Sequence, residues 1–208
     1  MESTALISAF VTLFVIIDPI GLLPIFISQT QGIPKIERRK IAIRACVIAS
    51  ILLCIFAFLG ETVLGFIGIS MPAFRIAGGL LLFITAFDML FERRTKRREG
   101  QAEEAEEEDY QDPSVFPLAL PLISGPGAIT TIILLTGQYS EIEDKLMMLG
   151  VAFSVILLLL MLFLTAGVVE RLLGRTGINV VTRLFGMLLA ALSVQFILDG
   201  LRDVGLMG

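Results

Sequence analysis

Polar and apolar positions divide the chain into long greasy stretches separated by short charged ones. Uncharged runs occupy 3–17, 19–34, 45–60, 113–140, 146–169 and 184–198. A helix that crosses a bilayer needs about 20 mostly apolar residues. Six segments approach that length, at roughly 4–30, 41–64, 73–91, 114–138, 146–169 and 180–200. The pattern therefore predicts an all-α integral membrane protein with six transmembrane helices, in one membrane domain spanning 1–208.

Composition agrees. The 208 residues are 56% hydrophobic and 17% charged, where a soluble domain carries roughly a quarter charged residues. The charges are clustered: 92–112 holds five basic and nine acidic residues, so the whole net charge of −4 arises there. A block of like charges repels itself and cannot form a core, so this segment reads as a solvated linker.

Two absences narrow the chemistry. There is no histidine, which excludes Ser/His and Cys/His nucleophile pairs and the His-based zinc motifs. The two cysteines, Cys46 and Cys54, lie in one apolar run and are expected to be unpaired small hydrophobes. The start, Met1-Glu2-Ser3, lacks the basic region of a cleavable signal peptide. Basic residues without interleaved aromatics give no support for nucleic-acid binding.

Charge also sets topology. Thirteen of the sixteen basic residues fall in or beside the first, third and fifth loops: Lys35, Arg38, Arg39, Lys40 and Arg44, then the five between 93 and 98, then Arg171, Arg175 and Arg183. Basic flanks stay cytoplasmic. Those loops, including 92–112, are thus expected inside and both termini outside, in the cytoplasmic (inner) membrane.

The two halves match. Glu61-Thr-Val-Leu-Gly65-Phe-Ile-Gly68-Ile-Ser70 aligns with Glu170-Arg-Leu-Leu-Gly174-Arg-Thr-Gly177-Ile-Asn179 at an offset of 109, and Arg75-Ile-Ala-Gly78 aligns with Arg183-Leu-Phe-Gly186 at 108. Repeats at 1–91 and 113–208 would hold three spans each. Because three is odd, the second copy must enter the membrane inverted. Inverted repeats with interrupted helices characterise secondary transporters, whose site lies at the repeat interface.

The first helix of each repeat carries the interruption. Asp18-Pro19-Ile20-Gly21-Leu-Leu-Pro24 breaks the first, and Pro121-Leu-Ile-Ser124-Gly125-Pro126-Gly127-Ala128 breaks the fourth. Proline removes an amide donor and pushes its predecessor out of the α region. At membrane depth the freed groups need protein or water partners, and the same groups can serve a ligand. Half-helices starting near Ile20 and Gly127 would aim their positive ends inward, which suits a carboxylate. Packing kinks are the plainer alternative.

Asp18 is the one charge between Glu2 and Lys35, and a mid-membrane carboxylate is costly unless paired or wet. Three roles compete for it: binding an ammonium group, coupling to H+ or Na+, or capping the turn after the break. Ser124, Gly125, Gly127 and Ala128, with Thr131 a turn further on, form the second half of the candidate site. Thr85 and Ser193 are repeat-equivalent hydroxyls and Gln195 is a nearby amide; each would line the site or bond across helices. Gly78, Gly79 and Gly186 are expected to allow close helix packing, and Asp88 and Asp199 to be interfacial.

The two break motifs and the two Arg-x-x-Gly helices resemble the MarC family over essentially the whole chain except 92–112. That resemblance implies a six-helix, 3+3 inverted-repeat transporter. Small neutral amino acids such as glycine and alanine would bind between the broken first and fourth helices. The expected function is thus secondary transport, without catalysis or cofactor, with an ion or small-solute channel as the alternative. An intramembrane enzyme would need Asp18 close to Asp88 or Asp199. The oligomeric state is not readable from the sequence.

Overall fold

A computed structural model describes residues 3–91, 93, 98 and 112–206. The described residues are helical, with no strand among them. In chain order they form α1 (Ser3–Ile17), α2 (Leu23–Gln29), α3 (Lys35–Ile67) and α4 (Met71–Leu90), then an irregular segment (Ser114–Ile123). After it come α5 (Pro126–Thr136), α6 (Ile142–Leu164) and α7 (Ala166–Asp203).

Among the described residues, four helices, α3, α4, α6 and α7, are long and apolar enough to cross a membrane, or five spans if Ser114–Ile123 and α5 count as one bent pair. α1 is apolar but only fifteen residues long. The longest helices outreach the bilayer: the 33 residues of α3 extend roughly 50 Å at 1.5 Å per residue, against a hydrocarbon core of about 30 Å. Its charged Lys35–Arg44 end therefore stands clear of the apolar belt.

Chain breaks follow the glycines and prolines. Asp18 precedes Pro19 and takes a left-handed φ of 55°, a conformation that a short polar side chain tolerates better than most. Phe116 and Leu120, each followed by proline, are extended rather than helical, as the pre-proline clash requires. The irregular segment then meets α5 at 57°. Gly68 ends α3 in the left-handed region and Gly174 interrupts α7 with φ 62°. In place of the expected fifth loop the chain has the Thr165 junction between α6 and α7 and this kink.

The broken elements are central. Leu13, Ile16, Ile17, Leu22, Leu23, Ile25, Phe26 and Leu118 are fully buried, as are Ile132 and Leu134 of α5. The long helices surround them and turn large apolar side chains outward, such as Ile51 and Leu59 on α3, Phe83 on α4, Leu157 on α6 and Met187 on α7. This is the exposure expected of a lipid-facing belt.

The pairing of α4 with α7 depends on small residues, as expected of membrane helices that approach closely. A Cβ on Gly79 would lie 2.8 Å from the Ser193 carbonyl oxygen, one on Gly186 2.9 Å from Met89 Cβ, and one on Gly200 3.0 Å from the Pro72 carbonyl oxygen. Gly78 admits the Thr130 methyl group of α5 in the same way. Cys46 and Cys54 are unpaired.

Charges collect at the two ends of the bundle. At one, Arg44 pairs with Asp112, and Lys35, Arg38, Arg39 and Arg171 line one pocket. At the other, Lys145 meets Glu61 at 3.4 Å and Arg75 pairs with Asp203. The loops expected on the same side of the membrane thus meet each other.

Candidate functional site

At the first break, α1 ends at Ile17 because Pro19 cannot continue the helical ladder. The chain then turns through 18–22, and the Leu22 amide donates to the Asp18 carbonyl at 3.1 Å. Asp18 is 1% exposed, and its Oδ1 accepts the Gly21 amide at 3.1 Å. A Cβ at position 21 would sit 2.1 Å from Asp18 Oδ2, so the turn requires glycine there. Of the roles expected for Asp18, capping the turn is therefore directly visible.

Its second oxygen faces a cation. Arg98 Nη1 lies 3.3 Å from Asp18 Oδ2, and Arg98 Nη2 donates to the Ile17 carbonyl at 3.1 Å. Arg98 is 5% exposed. The solvated run expected over 92–112 is corrected at this residue; the remainder, apart from Arg93 and Asp112, lies outside the described residues. Burial of a carboxylate in a span demands an opposite charge. No other charge lies between Glu2 and Lys35, and that absence was the available signal that the partner must come from elsewhere.

At the second break, Gly125 precedes α5 and Pro126 opens it. Proline suits a first helical position, where its missing amide is not needed. Gly127 and Ala128 then supply amides that a helix cannot satisfy internally. Beside them lies a cavity of about 330 Å³, bounded by Ile16, Leu81, Ile84, Thr85, Arg98, the stretch 121–123, Gly125, Pro126, Gly127 and Ala128. At ~30 Å³ per water it holds several waters or one small solute. Its polar boundary comprises the Thr85 hydroxyl, the partly positive α5 N-terminus and the Arg98 guanidinium, whose charge Asp18 offsets.

Gly125, Gly127, Ala128 and Thr85 are thus brought to one cavity. Asp18, Pro19 and Gly21 are buried at the first break, and Asp18 reaches the cavity wall through Arg98. Thr131 is fully buried, and its hydroxyl has no hydrogen-bond partner among the described residues. The other candidates are placed elsewhere. Ser124 donates across to the Ala49 carbonyl of α3 at 3.2 Å. Ser193 donates within its own helix to Ala190. Gln195 donates to Asp199 at 2.8 Å and faces a separate apolar groove against α1. Where each of these side chains points is set by the local backbone and by helix rotation, which sequence spacing alone did not fix.

A further correction concerns the amides. At the half-helix expected to start near Ile20, the Gly21 N–H is given to Asp18 and not to a ligand. α2 is seven residues long and starts at Leu23, too short to present a positive end of its own. Among the described residues, the positive helix terminus at the site belongs to α5.

A family model described as MarC family integral membrane protein matches residues 3–204. A UPF0056 membrane protein of Aquifex aeolicus is 38% identical over 199 residues, covering 95% of this chain and 92% of that one. Another, from Archaeoglobus fulgidus, is 41% identical over 197 residues, covering 94% and 92%. The UPF0056 membrane protein YhcE of Escherichia coli is 37% identical over 198 residues, covering 94% and 91%. No solved structure matches the chain.

Proposed function

Given that the chain belongs to the MarC family of multi-pass integral membrane proteins, we propose that it is a secondary transporter of small neutral amino acids, such as glycine and alanine. The observation that carries this reading is the cavity at the second break, walled by the α5 N-terminus and by an arginine paired to a buried aspartate. An amino acid is a zwitterion. Its carboxylate complements Arg98 and the Gly127 and Ala128 amides, and its ammonium group complements Asp18 once Arg98 has exchanged partners. The short lining residues Gly125, Gly127, Ala128 and Thr85 let a small zwitterion approach the α5 amides closely.

Movement across the membrane would come from two inverted three-span repeats, with α1 and α2 together as the sixth span. Supporting observations are the matched Glu61–Ser70 and Glu170–Asn179 segments, one proline break in the first element of each half, and the close pairing of α4 with α7 across the halves. The basic end of the bundle would face the cytoplasm of a cell whose inner membrane holds the protein. Coupling to H+ or Na+ would pass through Asp18.

The test is counterflow in proteoliposomes loaded with unlabelled alanine. Labelled glycine is expected to accumulate transiently, to saturate, and to be blocked by L- more than D-alanine. A channel passes solute without counterflow or stereoselectivity. Absence of exchange, with no amino acid raising the melting temperature, rejects the carrier. Asp18→Asn separates its roles: retained exchange with lost ion dependence assigns it to coupling.

A further inference from the structure

The bundle's basic end contains a second cavity, independent of the transport site. It measures about 790 Å³ and lies where the start of α3 meets the junction of α6 and α7. Lys35, Arg38, Arg39 and Arg171 all line it, and no acidic side chain does so among the described residues. Four cations around one cavity with no carboxylate among them give it a positive potential that attracts an anion.

Arg38 is positioned for that anion. Its guanidinium carbon lies 5.0 Å above the Phe26 ring, and Phe26 stacks on Phe163 with centroids 4.2 Å apart and planes within 6°. Both rings are buried, so the platform is rigid, and a guanidinium on an aromatic face is held by cation–π attraction. Arg38 Nη2 is nevertheless buried with no hydrogen-bond partner among the described residues. A buried charged donor left unpaired is costly, and a planar guanidinium is matched to phosphate oxygens. Ala166 and Gly167 line the same cavity and place the start of α7, the short segment before its Gly174 kink, against it.

We propose that this cavity is a phosphate-binding site, occupied by the headgroup of an anionic phospholipid. The apolar surroundings favour the lipid over a free phosphorylated solute. Leu164 and Val168 line the cavity and are 42% and 62% exposed, offering acyl chains a path onto the outer belt. Basic pockets between spans at one membrane face recognise anionic headgroups in this way.

The full chain, purified in neutral detergent, is titrated with phosphatidylglycerol, phosphatidylcholine or inorganic phosphate, reading retained lipid by native mass spectrometry and melting temperature. Phosphatidylglycerol is expected to be retained and to raise the melting temperature, while phosphatidylcholine does neither. Arg39→Gln and Arg171→Gln, which leave the aromatic platform intact, are each expected to weaken retention about fivefold, the factor equivalent to ~1 kcal/mol per basic residue. Inorganic phosphate that stabilises as strongly and displaces the lipid assigns the same phosphate site to a free solute. Equal retention of both lipids, or unchanged retention in both variants, overturns the proposal.

Discussion

Arg98 crosses eighty residues of sequence to bring its guanidinium within 3.3 Å of the Asp18 carboxylate, joining the linker to the first helix break. Both groups are nearly inaccessible. Removing one partner of a buried pair leaves an uncompensated charge and costs about 3–5 kcal/mol, whereas removing both can be close to neutral. Arg98→Gln is therefore expected to lower the melting temperature in detergent by several degrees. The double variant with Asp18→Asn is expected to recover most of that loss, because asparagine still offers an oxygen to the Gly21 amide. A double variant as unstable as Arg98→Gln alone would show that the pair is not the source of the effect.

Gly21 is tied to the same carboxylate. An alanine methyl group would be 2.1 Å from Asp18 Oδ2, far inside contact distance, so the carboxylate must leave either the Gly21 amide or Arg98. Overpacking of this kind costs about 1–3 kcal/mol. Gly21→Ala is expected to lower both melting temperature and glycine exchange, with exchange falling further than stability predicts. Equal exchange rates per folded molecule would show that the turn serves only to support the fold.

The α4–α7 contact makes a sharper comparison among glycines. Gly79→Ala would push its methyl group to 2.8 Å from the Ser193 carbonyl oxygen and 2.7 Å from Ile197 Cγ1. Gly150, within α6, has nothing within 4 Å of the same position. Gly79→Ala should destabilise, while Gly150→Ala should be neutral or gain up to ~1 kcal/mol from helix propensity. Melting temperatures of the two variants, measured in one detergent, check the opposite signs.

Much of this was legible in the sequence, for identifiable reasons. Pro19, Pro121 and Pro126 act through their own backbones, so the breaks appear where the prolines are. Gly79 and Gly186 lie in helices too apolar to need explanation, and close packing was the remaining use for them. Arg98 was not legible. Its neighbours are charged and its local sequence reads as solvated, because pairing with Asp18 is a long-range event that no local pattern encodes. Ser193 and Gln195 failed for a related reason. A polar residue in an apolar helix can satisfy itself on a carbonyl or on Asp199 four residues away, and only helix rotation decides between that and a cavity.

The pair joining Arg44 to Asp112 gives a pH test at the membrane surface. Burial alone would raise the Asp112 pKa, but the Ser114 hydroxyl and amide and the Arg44 guanidinium together hold it below the ordinary carboxylate value. A folded pKa lower than the unfolded one means that the unfolded chain binds the proton more readily. The associated stability is therefore present above the unfolded value, near ~3.9, and is lost as pH falls through the lower folded value. Both side chains are partly exposed, so salt screens their pairing and the contribution at neutral pH is at most about 1 kcal/mol. Asp112→Asn is expected to lower the melting temperature slightly at pH 7 and to converge with the parent as pH falls below the lowered folded value. The gap at pH 7 should also narrow as salt is raised. A gap that stays unchanged as pH is lowered through the acid range would trace the loss to packing at Ser114 instead of to charge.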